Sequence, residues 1–475
     1  MTFSKAIRVF VLFLSISAFG QTQSTSPYSI YGLGANQNQN NSSLYYGGGL
    51  NSSGISPKGN YANFVNPAAN IDLLATTFEL DFRTNYSLLD GTSLTQTGDL
   101  QDSKRSESGI KNASLAFPMG RKFSAGFSYR NYFSANNVEY STATQFDSLR
   151  GGLNQFQTFV NYKATDNFSF GLSLEGYTGK YNVINTNNAP GLTNDDLGTT
   201  DAIEFETVKT KFDIKGDSLQ FIQGDISTKL EKQQKILEKK VSGFAPTLGT
   251  LYNKDLKDNQ QLVIGATYRP ETKLTVRENS FVYNERIRNF AFTRNTIKGD
   301  TINATYKNST NVVSSKTIDQ GHNTYKTVLP QRITFGASLN KKMNYGFGFE
   351  TEFEQTSKTQ LSTSLYNYQN DRFRISTGGW WIPDFKAYNA FFNTITYRGG
   401  LYFEQTPYKI DGKNLQDLGL TLGAGIPIGR RNDLSELSLG LNVGQRIGGP
   451  IDETYFNMNL GVVFNEDWFR KREIN

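Results

Sequence analysis

The side chains able to do chemistry are few in kind. The chain of 475 residues has one histidine, His322, and no cysteine. A hydrolytic triad would need His322 beside a serine and an aspartate or asparagine. Asn323 follows it directly and cannot easily orient the same imidazole, so catalysis is not expected. One histidine without cysteine leaves only carboxylates as metal ligands, and no metal or cofactor is expected. Asp195-Asp196 could touch a Ca²⁺ that bridges lipopolysaccharide, although two adjacent acids are ordinarily just solvated. Gly47-Gly48-Gly49 lacks the strand-to-helix frame and the Lys-Ser of a phosphate loop, and reads better as a tight bend. The remaining pattern is charge at every second position. Glu79, Asp81 and Arg83 form one set, and Glu350, Glu352 and Glu354 another; Arg130, Glu175 and Arg374 have similar settings. A spacing of two puts such residues on one face of a strand.

The other face of those strands is apolar. Phe78, Leu80 and Phe82 alternate with the first charged set. Phe456, Met458, Leu460, Val462 and Phe464 alternate with Asn457, Asn459, Gly461 and Val463. The pattern recurs about fourteen times. It predicts an all-β chain, a transmembrane antiparallel barrel of about 14 strands. Register follows from the alternation, because a one-residue slip would turn the Phe face into the lumen. Aromatics make up 13% of the chain, with 35 Phe and 25 Tyr, which suits a wall whose apolar residues occupy every second position. The charges then face the lumen, where opposite signs satisfy each other. Tyr129, Tyr162, Tyr268 and Tyr345 are expected to point outward as interfacial girdles.

The segments before and between the strands complete the organisation. Lys5 and Arg8 precede an apolar run, Val9 to Ile16, with small residues at Ala18 and Gly20. This reads as a signal peptide over 1–20 cleaved after Gly20; the run is too short to span a bilayer. Without Lys5 and Arg8, 47 basic residues stand against 43 acidic ones, a net +4, which gives no nucleic-acid footprint. Residues 21–74 are rich in Asn, Ser, Gly and Tyr without either period; they are disordered, irregular or a plug within the lumen. The barrel occupies 75–475. Connections after even strands are short and those after odd strands longer, with outer loops at 184–243 and 285–327 the longest. An even strand count places both termini in the periplasm. Trp380–Asn393 breaks the rule, as a periplasmic flap or as a miscounted strand. Ile226, Leu230, Leu237 and Val241 lie near one helical face, so a short rim helix is expected there. The sixth strand, near Phe244 to Tyr252, is weakly patterned.

Several segments resemble the long-chain fatty acid transporter (FadL) family of outer-membrane proteins. Asn66-Pro67-Ala68 is similar to the signature that ends that family's N-terminal hatch. Gly265 to Lys273 resembles a segment of its seventh strand, Leu329-Pro330 with Gly336 its approach to the eighth, and Glu350 to Ser357 the end of its ninth. Ser26-Pro27-Tyr28-Ser29, Tyr397 to Tyr402 and the tail Asn465 to Arg472 resemble outer-membrane proteins of Bacteroidetes. The resemblance implies a 14-stranded barrel with a lumenal hatch, in the outer membrane among lipid and lipopolysaccharide. It implies uptake of hydrophobic or amphipathic small molecules, which leave sideways through a kinked third strand. The charged lumen is a departure. It implies either a cargo other than a simple fatty acid or a barrel that passes nothing small. In the second case the expected partner is a secretion-translocon barrel of the type 9 system, which a non-transporting subunit would gate or accompany.

Overall fold

In the computed structural model the wall is built wholly of antiparallel strands. The structure describes residues 26, 28, 42, 59–70, 73–90, 103–140, 145–188, 211–215, 218–223, 226–298, 301–358, 370–387, 390–410, 412–428, 434–449 and 452–466. The expected signal peptide over 1–20, Gly47–Gly49, Asp195-Asp196 and the tail after Glu466 lie outside the described residues.

Fourteen wall strands follow in chain order: β1 (Thr76–Asp90), β2 (Ser103–Met119), β3 (Phe123–Tyr140), β4 (Gln145–Lys163), β5 (Phe168–Asn188), β6 (Ile226–Asp255), β7 (Gln260–Arg269 and Thr272–Lys298), β8 (Thr301–Leu329 and Arg332–Lys341), β9 (Tyr345–Glu354), β10 (Arg372–Trp381), β11 (Thr396–Ile410), β12 (Lys413–Pro427), β13 (Glu436–Ile447) and β14 (Asp452–Glu466). Each pairs with its neighbours in sequence, and β14 pairs with β1 from Thr76↔Glu466 to Asp90↔Asp452. That last ladder closes the wall and removes the edges an open sheet would expose. Apolar residues such as Phe82, Leu172, Phe349, Leu420 and Phe456 stay exposed on the outside, while their neighbours in sequence are buried within. This inverts the usual rule for proteins in water, and it is the arrangement a lipid-facing wall requires.

β7 and β8 each break at a proline, Pro270 and Pro330, which cannot donate to a ladder. The two breaks face each other, between Arg269↔Arg332 and Thr272↔Leu329. Beyond them the two strands continue as one long hairpin reaching Lys298 and Thr301. Residues 285–327, taken from sequence as a loop, are therefore largely strand. So is much of 184–243, where β5 runs to Asn188, a small hairpin pairs Lys211–Lys215 with Ser218–Gln223, and β6 begins at Ile226. The helix expected over Ile226–Val241 is absent, because that segment is bound on both sides. It pairs with β5 from Asn188↔Lys232 and with β7 from Ala291↔Ile226. Two ladders outweigh a local helical spacing. Leu237, Lys239 and Val241 then all face inward at the strand period.

At the opposite end the turns are short. The Trp380–Asn393 stretch is no miscounted strand: β10 ends at Trp381, β11 starts at Thr396, and a 3-10 turn (Phe391–Thr394) lies between them. Tyr162 and Tyr268 are exposed on the outer face, but Tyr129 is 6% exposed. It tilts against Phe156 at 5.2 Å and belongs to the packed wall instead of a girdle.

Candidate functional site

The inward positions of β5 show how the lumen is layered. From the short-turn end they run Ser169, Gly171, Ser173, Glu175, Tyr177, Gly179, Tyr181 and Val183. The first two hold the N-terminal segment, the middle carries charge, and the last are apolar.

The lowest layer seats Asn66-Pro67-Ala68. Gly171 and Gly249 are paired across β5 and β6. A Cβ on Gly249 would lie 2.8 Å from Pro67 Cδ, and one on Gly171 would meet the backbone of Pro67 and Ala68. Only glycine leaves room for this approach. Asn161 Nδ2 donates to the Ala68 carbonyl at 2.7 Å and Ser169 Oγ to the same oxygen at 2.8 Å. Asn66 Nδ2 donates to Thr250 O at 3.1 Å, and Gln157 Nε2 to Phe64 O at 2.6 Å. Across the lumen, hydroxyls of the same N-terminal region donate to wall carboxylates: Ser26 to Glu453 at 2.7 Å, Ser42 to Glu79 at 2.5 Å and Tyr61 to Glu436 at 2.9 Å. Burial, and then the Glu436 carboxylate, push the Tyr61 phenol well above its ordinary pKa, so it stays a donor.

The middle layer is a belt of ion pairs that crosses the strands one after another. Arg130 on β3 donates to Gln155 on β4, whose amide donates to Glu175 on β5 at 2.8 Å. Glu175 accepts from Thr247 of β6 at 2.7 Å and lies 3.8 Å from both Arg269 of β7 and Arg332 of β8. Arg269 pairs with Glu354 at 2.5 Å. Arg372 of β10 joins Glu352 and Glu354 of β9 to Glu404 of β11, its Nε 2.7 Å from Glu404 Oε1. Arg374 reaches Glu404 at 3.2 Å and lies over the Tyr402 ring at 4.0 Å. Tyr402 bonds Tyr455, which donates to Asp417 at 2.6 Å; Arg446 then links Asp417 at 3.0 Å to Glu453 at 2.7 Å. Ser87 of β1 donates to Glu453 at 2.9 Å and ends the run. Lone charges are very costly to bury, and mutual pairing is what makes them tolerable here.

Thus Arg130, Glu175, Glu352 and Arg374 share one network. Glu350 is buried on β9 below it. Glu79, Asp81 and Arg83 are buried on β1, with Asp81 accepting from Asn112 at 2.8 Å. Arg269, Arg332, Arg372, Glu404 and Arg446 are partners that alternation alone did not single out. Their signal was an arginine or carboxylate at inward parity on the neighbouring strand.

The upper layer is mostly apolar, with the buried Lys239 paired to Glu278 at 3.1 Å. Tyr177, Tyr181, Leu153, Val241, Leu274 and Leu329 pack in one buried cluster with Tyr28 of the N-terminal region. One member arrives through a defect in the wall. The β3–β4 register passes from Asn131↔Asn154 to Phe133↔Leu153, so Tyr132 is an extra residue. Such a bulge re-aims a side chain: Tyr132 is buried and meets Tyr177 edge to face at 4.9 Å. β2 has a matching defect. Its register against β1 passes from Asp81↔Asn112 to Phe82↔Ile110, making Lys111 extra. Between the two bulges, the β2–β3 ladder ends at Asn112↔Arg130 among the described residues. Above that level β2 pairs only with β1, and β3 only with β4. The wall therefore has a seam beside the apolar layer.

His322 lies in β8, not in a loop. Its Nδ1 is 2.8 Å from Asn279 Oδ1 at an exposed site. Among the described residues no group of three or more His, Cys, Asp or Glu is placed to hold a metal ion.

A family model described as BamG matches residues 2–475. No curated protein sequence matches the chain. Among solved structures it is similar to the CymD monoaromatic hydrocarbon channel, at 12% identity and a TM-score of 0.51, over 92% of this chain and 99% of that one. It is similar to the Ralstonia pickettii toluene transporter TbuX at 13% identity and 0.51, over 89% and 98%. The Pseudomonas putida toluene transporter TodX gives 15% and 0.52, over 90% and 98%. These likenesses establish the fold as a closed 14-stranded antiparallel barrel of the kind those channels share.

Proposed function

The chain belongs to the BamG family, and from that premise we propose that it is an outer-membrane conduit through which hydrophobic or amphipathic small molecules pass sideways. The observation that carries this reading is the β2–β3 seam, bounded by Lys111 and Tyr132 and opening beside the apolar layer. An apolar solute entering that layer meets a belt of charge below it, which it cannot cross without stripping water from ions. The seam offers a lateral exit, with the Tyr132 ring on its β3 side and the Lys111–Glu107 ion pair on its β2 side. The toluene transporters and the hydrocarbon channel named above support the reading by their fold, and the substrates in their names suggest the class of molecule. On this reading the signal peptide is removed after Gly20, both termini are periplasmic, and the N-terminal segment is the hatch that blocks the axial route.

A second reading has its own observation. The belt and the two-sided fastening of the hatch describe a sealed barrel, as a non-transporting subunit beside a secretion translocon would be. One experiment separates the two. Deleting Lys111 and Tyr132 together restores the period of two on both strands; it removes the Lys111–Glu107 pair and the ring beside the Arg130 guanidinium, and leaves the ion pairs from Glu175 to Glu453 in place. The conduit reading expects uptake of apolar solutes such as toluene, by liposomes or by a complemented deletion strain, to fall to background while the barrel still folds. Unchanged uptake, or no uptake by the parent protein across an apolar panel, would overturn it. In that case co-purification with a translocon barrel from native membranes is the outcome expected of the sealed subunit.

A further inference from the structure

We propose that the segment between β10 and β11 is a membrane anchor, which lays Phe391 and Phe392 into the headgroup–acyl boundary of the leaflet at the short-turn rim. The proposal rests on the wall spanning a bilayer and on nothing about transport.

Four other connections at that rim, 120–122, 164–167, 256–259 and 342–344, are three or four mostly polar residues each, and a fifth, 428–435, has no aromatic residue. This one is long, aromatic and firmly built. The Ile382 N–H donates to Asn344 O at 2.7 Å, and the Asp384 N–H to Asn393 O at 2.9 Å. Ile382 and Ile395 are buried at its two ends. Thr394 Oγ1 donates to Phe391 O at 2.7 Å and secures the 3-10 turn. With its base so fixed, the segment leaves Phe391 55% exposed and Phe392 72% exposed. A soluble surface gains nothing from presenting two adjacent phenylalanines, packed edge to face at 5.7 Å.

Their surroundings identify the occupant. Tyr345, Trp381 and Tyr397 form a row across β9, β10 and β11, in the register Tyr345↔Trp381 and Trp381↔Tyr397. Trp381 and Tyr397 are exposed on the outer face, their rings 5.9 Å apart. Tyr397 Oη donates to Phe392 O at 3.1 Å and so ties the phenylalanine pair to this outward row. Trp381 is one of only three tryptophans in the chain. Trp and Tyr concentrate at headgroup level because one end of the ring is apolar and the other wet. The exposed pair therefore continues the lipid-facing surface instead of starting a separate one, and its occupant is lipid.

The absence of cysteine makes the test direct. Single cysteines are introduced as Phe392→Cys, Leu172→Cys on the outer face of β5, and Asp166→Cys in the 164–167 turn. Each carries bimane in vesicles of phosphatidylcholine and phosphatidylglycerol. Lipid brominated near the headgroup and aqueous iodide are the quenchers. The anchor predicts that the label at 392 loses most of its emission to the brominated lipid and little to iodide, as the Leu172 label does, while the Asp166 label behaves oppositely. Phe391→Cys gives the same result should Phe392→Cys not fold. Iodide quenching at 392 with lipid quenching retained at 172 overturns the anchor and leaves the membrane-spanning wall intact. Iodide quenching at both sites overturns both. A label at 392 shielded from both quenchers is covered by protein and also overturns the anchor.

Discussion

On one flank of the β1–β2 hairpin, β1 meets β14 in an unbroken ladder from Thr76↔Glu466 to Asp90↔Asp452. On the other flank, β2 and β3 pair only from Met119↔Phe123 to Asn112↔Arg130. The first junction joins segments near opposite ends of the chain, and the second joins consecutive strands through a tight turn. Connectivity would favour the opposite outcome, because a short turn brings its two strands together at little entropic cost. The difference lies in local register. At the closed junction both strands keep the period of two. At the seam each strand carries one extra residue at the same level, Lys111 and Tyr132, and a bulge of this kind disrupts the ladder locally. The interior differs as well. Glu453, beside the closed junction, is hydrogen-bonded by Ser26, Ser87 and Arg446. Tyr132, beside the seam, is met through its ring, edge to face by Tyr177 and by the Arg130 guanidinium at 5.9 Å. A continuous wall is held by ladder and polar layer together, and the seam opens where the ladder stops.

The largest effect should come from cutting the belt that joins the two regions. Arg372→Met leaves Glu352, Glu354 and Glu404 without their shared cation in a buried setting. Removing one partner of such a set costs about 3–5 kcal/mol. Denaturant unfolding in lipid should show that loss, with the β14–β1 ladder still protected from amide exchange. A cost below about 1 kcal/mol, as for solvated pairs, would mean that water screens the belt and that it seals nothing.

A smaller effect is expected from the seat of Asn66-Pro67-Ala68, which lies on the wall away from both junctions. Gly249→Val places side-chain carbon where Asn66 and Pro67 sit. Overpacking of this kind costs about 1–3 kcal/mol. The N-terminal segment should become sensitive to protease, and axial leak should rise, while the seam stays as it was. A protected segment would show that the contacts of Glu79, Glu436 and Glu453 hold it without the glycine seat.

The strands were legible in the sequence wherever one face meets lipid, because Phe and Leu at every second position admit no other regular reading. Legibility failed where that constraint ended. The upper half of β6 carries Leu237 and Val241 at a spacing of four, and the two ladders that make it a strand come from residues far along the chain. The inward charges were visible by parity on Glu79, Glu175, Glu350 and Glu352. Their partners were not, because pairing depends on the relative height of neighbouring strands. The two bulges left no mark in composition: one added residue among Asn131, Tyr132 and Phe133 looks like ordinary irregularity. Gly171 and Gly249 gained meaning only when Pro67 was found upon them.

The smallest change addresses the seam itself. Tyr132→Leu keeps the extra residue, and therefore the bulge, but removes the edge-to-face contact with Tyr177 and the Arg130 guanidinium's contact with the ring. Such an aromatic pair contributes about 0.5–1.5 kcal/mol beyond the area it buries and a cation at the far limit of ring contact about 0.5 kcal/mol, so global stability should fall by about 2 kcal/mol at most. If the ring only fills space, the leucine variant passes apolar solutes as the parent does. If the ring bars the way from the apolar layer to the seam, uptake rises while the β2–β3 ladder still ends at Asn112↔Arg130 in amide exchange. Extension of that ladder past Arg130 would contradict both outcomes, because it would show that Tyr132 opens the wall through its side chain and not through its place in the register.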